Sequence, residues 1–411
     1  MKVAIIVESF PKLSETFVVN HIKGLIDEGA EVKIFAFYNL NEGRIHPVVN
    51  KYHLKSKTRY KPVEPLNKIG RSIKAIFLIL RYIPQYPKAI LQSINIFKLG
   101  KDAFRMHYLF EAATFFTKEK FDLVHCHFGN TAEKVALFQQ WGLLNAPLVT
   151  SFHGYDLDDK SFRDSNEYLN LKKRVSVIIS NSTYTQMRLI ELGFDAKKIK
   201  ILPVYFDTSY FKRKGSNSDS FFTILTVGRL VEFKGIEYSI KALSIVKKDM
   251  KIPFKYIIVG TGPLEEKLQM QIDELDLNDC IKLVGQKTQA EILELMENSD
   301  IFMLNGIMTN DGRVENQGLV IQEAQSMNLP VIVSDLGGVS EGMLNGISGF
   351  LLPPKDVNAI ADKINYLYTH PEERMKMGIA GRKYVEDKYS ISQSTQKLLG
   401  FYKTLLNDRH N

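Results

Sequence analysis

The residues best placed to do chemistry are two carboxylates, Glu315 and Glu323, in the run E-N-Q-G-L-V-I-Q-E. The apolar stretch Ile301 to Leu304 upstream reads as a buried strand. A helix that opens at Gly318 and runs on through Met327 follows, and then a second strand at Leu329 to Val333. One carboxylate therefore stands before the helix and the other inside it. This edge of an α/β sheet is where such folds bind ligands, and a helix start offers free backbone N–H groups to an anion. Spacing alone decides little, since Glu111/Glu119 and Glu266/Glu274 repeat it. Context decides more. The strand Phe221 to Val227 runs into Gly228-Arg229-Leu230-Val231-Glu232-Phe233-Lys234-Gly235, and Tyr256 to Val259 runs into Gly260-Thr261-Gly262-Pro263. Three strand ends in one half thus carry a basic pair, a glycine turn and a carboxylate pair.

That combination suits a nucleoside diphosphate bearing a sugar. Phosphates take cations and backbone N–H donors. Arg229 brings a planar fork and Lys234 a compact charge, which fits two neighbouring phosphoryl groups. Sugar and ribose hydroxyls take fixed acceptors, which carboxylates supply. Glycines at 260 and 262 permit close backbone approach to a ligand, and a plain tight turn explains them equally well.

The series resembles the retaining glycosyltransferases of family 4, which have the two-domain GT-B fold. Its elements here are Val227 to Gly235, Gly260 to Pro263, and Glu315 to Ala324 followed by Pro330-Val331. The resemblance covers essentially the whole chain. It implies an α/β architecture of two Rossmann-like, doubly wound domains facing a deep cleft, with a C-terminal helix crossing back to the N-domain. It also implies that Gly228, Arg229, Lys234, Gly260 and Gly262 lie at the donor diphosphate, with backbone N–H groups of Asn316, Gln317, Gly318 and Leu319 adding to that site. By the same analogy Glu315 contacts the transferred sugar and Glu323 holds the ribose.

The first half carries matching features. Lys2 to Val7 reads as a first strand, and Pro11-Lys12-Leu13-Ser14-Glu15-Thr16-Phe17-Val18 leads into a helix with Ser14 as its expected N-cap. This P-x-x-S-E-T-F element is similar to one found among exopolysaccharide and colanic-acid-type transferases. It replaces the Gly-Gly pair of many relatives, so Ser14, Glu15 and Thr16 are expected on the acceptor side. His127, at the end of the strand Asp122 to Gly129, is expected there too. His125 and His127 flank Cys126 on one face of that strand, and with no further ligand set in view no metal site is expected. Ser151-Phe152-His153-Gly154-Tyr155-Asp156 resembles the family's H-G-x-D element. His153 is the expected contact to the donor sugar or its leaving phosphate, and it joins Arg229, Lys234 and Glu315 as the catalytic set.

A chain of 411 residues with 45% hydrophobic content is long enough for two globular domains. The expected division is 1–212, with a C-terminal helix over 389–411 packing back on it, and 213–388; Lys212 to Ser220 reads as the linker. Two cysteines, Cys126 and Cys280, in different domains fit a reducing compartment. The first residues read as a strand rather than a leader, and the best membrane-spanning candidate, Ala75 to Leu80, is far short of the roughly 20 apolar residues a span needs. Residues 51–105 hold 13 Lys plus Arg against Glu64 and Asp102, net +11 in a chain of +8. Bulky apolar residues interleave with these cations. That pattern suits an anionic membrane surface, or the diphosphate of an acceptor, better than nucleic acid, for which no motif is present.

The resulting expectation is a cytoplasmic, peripheral enzyme. It moves a sugar from a UDP- or GDP-sugar to a lipid-linked glycan in exopolysaccharide, capsule or O-antigen assembly, with no metal and no other cofactor. Two alternatives stand beside it: a related enzyme acting on soluble glucan, and a non-catalytic sugar-nucleotide-binding component of an assembly complex.

Overall fold

The computed structural model describes residues 1–40, 45–158, 167–215 and 221–408; the later part of the expected linker, 216–220, lies outside them. Two compact units emerge. One holds Met1–Asn181, Gln186–Leu202 and Thr395–Asn411, and the other Ser182–Thr185 and Pro203–Ser394. The chain changes unit after Leu202, ahead of position 212, because Phe206 and Phe211 are buried in the second unit's core.

The first unit is built on seven strands: β1 (Lys2–Ser9), β2 (Glu31–Tyr38), β3 (Thr58–Tyr60), β4 (Leu123–His127), β5 (Leu148–Phe152), β6 (Val175–Ser180) and β7 (Ile199–Ile201). They are all parallel, in the order β3-β2-β1-β4-β5-β6-β7. Val3 to Val7 are all fully buried, as expected for a parallel strand covered by helices on both faces. The helix Thr16–Asp27 follows β1 and buries Val18, Val19, Ile22 and Leu25, one stripe at helical spacing. Its N-cap position falls on Glu15, not on the expected Ser14. The Glu15 side chain is drawn instead to Lys12, 2.6 Å away, so it caps no backbone group.

The long connection from β3 to β4 carries the basic segment. It folds into helices Lys68–Tyr82, Pro87–Ser93, Ile96–Phe104 and His107–Ala113. Ala75 and Leu78 of the first of these are buried against a core that includes Phe35, Phe110, Phe115 and Phe138. Each such buried aromatic side chain contributes about 1.5–3 kcal/mol. None of the helices among the described residues is long and apolar enough to cross a membrane.

The second unit has six parallel strands: β8 (Phe222–Val227), β9 (Phe254–Val259), β10 (Ile281–Leu283), β11 (Ile301–Leu304), β12 (Val331–Ser334) and β13 (Gly349–Leu352). Their order is β10-β9-β8-β11-β12-β13. In both sheets the order reverses at the centre, between β1 and β4 and between β8 and β11. The crossovers on either side of a reversal diverge, and a crevice opens at the carboxyl ends of the two central strands. The C-terminal helix Ile391–Asn407 buries Leu398, Leu399 and Tyr402, and from Thr395 on it belongs to the first unit.

Candidate active site

The second unit's site residues gather at the β8/β11 reversal. After β8 the chain passes Gly228 and Arg229, makes a short 3-10 turn over Glu232–Lys234, and enters the helix Ile236–Ile245. The loop after β11 is tied to that turn by Ile307 N–H donating to the Phe233 carbonyl at 3.0 Å. These links bring the Lys234 ammonium onto the Glu315 carboxylate, an ion pair in which both side chains are mostly buried. Lys234 and Glu315 line a narrow pocket with Phe233, Gly306, Ser334 and Leu336. Arg229 is exposed and makes no ion pair or hydrogen bond from its side chain to any described residue.

Gln317 plays a different part. Its side-chain amide accepts from Val204 N–H and donates to the Val204 carbonyl, both at 2.8 Å, which ties it to that backbone. Gly318 adopts a left-handed conformation, φ 68° and ψ 58°, and opens the helix Leu319–Ser326. Glu323 lies on that helix, and its side chain makes no hydrogen bond or ion pair with a described residue. Burial pushes its carboxyl up to about 7. Arg313 is paired with Asp311 at 2.7 Å.

The turn after β9 shows why glycine stands there. A Cβ on Gly260, at φ +137°, would lie 1.9 Å from the Gly228 carbonyl oxygen. One on Gly262 would lie 2.4 Å from the Leu230 carbonyl oxygen. The two loops are also zipped by Gly228 N–H to Val259 O and Leu230 N–H to Thr261 O. The close approach that demands glycine is thus between two protein loops. A second pair of this kind, Gly337-Gly338 after β12, escaped the sequence reading. Added Cβ atoms there would stand 2.1 Å from the Glu315 carbonyl and 1.8 Å from that of Asn316, so this pair seats the Glu315 loop. A Gly-Gly directly beyond a strand end was the available signal.

The first unit gathers its residues at the β1/β4 reversal and the neighbouring end of β5. Ser14, Glu15 and Thr16 follow β1, His127 ends β4, and His153 follows β5. Asp156 organises the last loop. Its carboxylate accepts from His153 N–H, Gly154 N–H and Gly129 N–H at 2.8–3.1 Å. Burial still pushes its carboxyl up, to about 6, against those three donors. The His153 ring is held between Phe17 and Phe128, with centroids 4.3 and 4.9 Å away. His153 Nε2 lies 3.0 Å from His127 Nδ1, and His127 Nε2 lies 2.8 Å from His21 Nδ1. His21, from the helix after β1, was missed because nothing local marks it. Ring nitrogens of His21, His125 and His127 come within 4.8 Å of one another, close enough to hold a metal ion, and each ring is also hydrogen-bonded to a neighbouring side chain.

This geometry can be set beside known proteins. The chain is 30% identical over 396 residues to the amylovoran biosynthesis glycosyltransferase AmsK of Erwinia amylovora, an alignment that covers 95% of this chain and 96% of AmsK. The chain belongs to the family 4 glycosyltransferases. Its residues 14–210 match the Glycosyltransferase Family 4 description and 207–384 the description Glycosyl transferases group 1. This glycosyltransferase is also 28% identical to the putative colanic acid biosynthesis glycosyltransferase WcaL of Escherichia coli, over 89% of its own length and 90% of WcaL. Its fold is that of HepE from Anabaena, solved in complex with UDP (TM-score 0.69, 18% identity, 98% and 100% of the two chains covered). Sucrose-phosphate synthase from Thermosynechococcus elongatus shares the fold at TM-score 0.70 and 18% identity, with 99% and 100% of the chains covered. GT-B is therefore the architecture of this transferase.

Two stability predictions follow from the glycosyltransferase's own geometry. Gly260→Ala is expected to destabilise by about 1–3 kcal/mol, since its clash is with backbone. Gly400→Ala, in a helix with open space around the added atom, is expected to stabilise by about 0.5–1 kcal/mol. Denaturant titration of both variants checks the pair. Glu323 gives the second. Its folded-state pKa lies above the unfolded value, so the folded state holds the proton more tightly and stability falls as pH rises from 4.5 through 7. Glu323→Gln should lose less in melting temperature over that range than wild type does.

Proposed function

We propose that this glycosyltransferase transfers a sugar, with retention and without a metal, from a UDP- or GDP-sugar to a hydroxyl of a lipid-linked glycan in exopolysaccharide assembly. The observation that carries the donor half of this reading is the pocket in which Lys234 meets Glu315, beside an Arg229 with no partner among the described side chains. A diphosphate arriving there draws Lys234 from a carboxylate to a phosphate and leaves Glu315 as an acceptor for sugar hydroxyls. Arg229 adds the fork that bridges two phosphoryl oxygens. Glu323, with no competing partner, accepts from the ribose diol. In the transfer step the acceptor oxygen bonds to the anomeric carbon as the bond from that carbon to the phosphate oxygen breaks. The departing phosphate takes the acceptor's proton on the same face, so no side chain is needed as base. Arg229, Lys234 and His153 stabilise the negative charge that develops on the departing diphosphate. The names of AmsK and WcaL support an exopolysaccharide acceptor, and the UDP complex of HepE makes UDP-sugars the first donors to try.

The acceptor half of the reading rests on the basic segment. The helix Lys68–Tyr82 shows Ile69, Ile73, Ile76, Phe77 and Leu80 to solvent, each at least 54% exposed, on the stripe opposite its buried Ala75 and Leu78. Phe97 and Phe104 are fully or largely exposed nearby in sequence, among exposed Lys98, Lys101 and Arg105. Apolar side chains standing out among cations suit the surface of an anionic membrane, where the enzyme meets a lipid-linked acceptor from the inner face of the cell membrane.

Lys234→Ala is expected to lower transfer about 10²–10³-fold, and to abolish nucleotide binding in a ligand-observed NMR screen of UDP-, GDP-, dTDP- and ADP-sugars. Near-normal turnover in that variant removes Lys234 from the site. Sedimentation with phosphatidylglycerol vesicles should carry down wild type but little of an Ile73→Ser/Phe77→Ser variant, and neutral phosphatidylcholine vesicles should carry down neither. Equal binding of both proteins to both lipids rules out the surface reading.

A further inference from the structure

A cluster of charged side chains beside the carboxyl ends of β2 and β3 takes no part in the site described above. Two carboxylates, Glu64 and Glu111, stand at its centre. Lys61 Nζ, Arg71 Nε and His107 Nδ1 lie 3.4–3.5 Å from the Glu64 carboxylate. Lys134 Nζ, from the helix Gly129–Gln140 that follows β4, lies 2.8 Å from the Glu111 carboxylate, and His107 Nε2 lies 3.2 Å from it. The hydrogen bond to Glu111 holds the His107 imidazole above its ordinary value, against the burial that lowers it. The imbalance is largest around Glu64, where three cationic groups meet one carboxylate.

The charges are also layered. Glu111 is fully buried and Glu64 18% exposed, whereas Arg71, His107 and Lys134 are 23–35% exposed. Lys61, more deeply set, stands with its ammonium 4.8 Å from the centroid of the Tyr38 ring. The carboxylates thus lie beneath and most of the cations face outward, so the cluster presents positive charge to solvent.

Its neighbours give a ligand a direction. Arg71 belongs to the helix Lys68–Tyr82, whose apolar stripe is exposed, and Val63 and Leu66 just ahead of that helix are exposed too. On the side towards the centre of the sheet, Tyr38 ends β2 and is 40% exposed, and Glu8 near the end of β1 is exposed as well. An aromatic ring offers the apolar face of a sugar a surface to rest on, and a carboxylate accepts from its hydroxyls. The order along this edge is β3, β2, β1, β4. At roughly 4.8 Å a strand, the β1/β4 reversal lies about 10–14 Å inward of β3. Apolar stripe, cations, aromatic ring and crevice therefore follow one another along the sheet edge.

We propose that Lys61, Arg71, His107 and Lys134 hold the diphosphate of a lipid-linked acceptor, with its lipid on the exposed stripe of the helix Lys68–Tyr82 and its glycan passing Tyr38 and Glu8 towards the crevice. The acceptor's identity rests on the transferase reading; the affinity of the cluster for a lipid diphosphate does not. Adjacent phosphoryl groups match several cations set around one point better than a lone phosphodiester does. An arriving diphosphate competes with Glu64 for its three partners, as a charged ligand must at any site whose cations are already paired.

Calorimetric titration of the full-length protein with farnesyl diphosphate, a soluble lipid diphosphate, tests the site. Wild type is expected to bind it, to bind farnesyl monophosphate at least about fivefold more weakly, and not to bind farnesol. Lys61→Gln/Arg71→Gln is expected to lose about tenfold or more in affinity while retaining the wild-type melting cooperativity. Lys234→Ala is expected to keep wild-type affinity, which separates this site from the donor pocket. A benzophenone-bearing farnesyl diphosphate should label wild type within residues 61–82. No binding by wild type, equal affinity in the double variant, loss of binding in Lys234→Ala, or labelling confined to the second unit each overturns the proposal. So does displacement of farnesyl diphosphate by dihexanoyl phosphatidylglycerol at equal concentration, which would make the cluster a phospholipid headgroup site. If the double variant fails to fold, the labelling of wild type decides. Binding here without transfer to any lipid-linked acceptor would sink the transferase reading and leave a lipid-diphosphate site standing; transfer with turnover and acceptor KM unchanged in the double variant would do the reverse.

Discussion

The reversal of strand order at the centre of each parallel sheet is the constraint on which the rest depends. Connections between parallel strands are right-handed, so a chain that moves outward from β1 to β3 and then returns to lay β4 on the other side of β1 must send its helices to opposite faces. The loops at the carboxyl ends of β1 and β4 separate as a result, and the same happens at β8 and β11. The side chains singled out for chemistry stand at these two places or one strand away. The helices, cores and glycine contacts serve to hold those strand ends in register.

The two units solve the problem of burying polar groups in opposite ways. The second places an ammonium against a carboxylate, a pair whose charges neutralise one another. The first uses neutral imidazoles linked in series, whose burial forbids charge and so makes the direction of each hydrogen bond matter. Asp156 belongs to the same economy. It is a buried carboxylate held by three backbone N–H groups, and it fixes the loop on which His153 stands.

The basic segment is an excursion from this plan. It fills the connection between β3 and β4, and its helices bury one apolar stripe in the core while leaving a second outside. A helix with two apolar faces and a cationic surround is poorly suited to water alone, which is the physical reason for proposing a lipid surface as its partner.

Much of this was legible along the chain. Continuous apolar runs such as Lys2 to Val7 and Ile301 to Leu304 specify buried parallel strands on their own, because period and burial are local properties. The ordered strand-end motifs were enough to single out Lys234 and Glu315, which the structure brings into one pocket. They also separated Glu315 from Glu111, a carboxylate with the same spacing that is buried in an ion pair with Lys134. Other features were not legible. Ser14 was expected to cap a helix whose N-cap falls on Glu15, with the Glu15 side chain held by Lys12. Glycines 260 and 262 read equally well as a ligand contact or a tight turn, and only the structure shows that the space beside them is taken by the neighbouring loop. His21 joins His127, and Tyr402 joins His125 and His21, across 106 or more residues of sequence, and no local pattern announces such a partner. The sequence by itself thus determined where strands end and which charges stand there, since those depend on neighbours in the chain. Only the tertiary structure decided which polar groups meet, since a buried hydrogen bond is chosen by the packing that brings its two ends together.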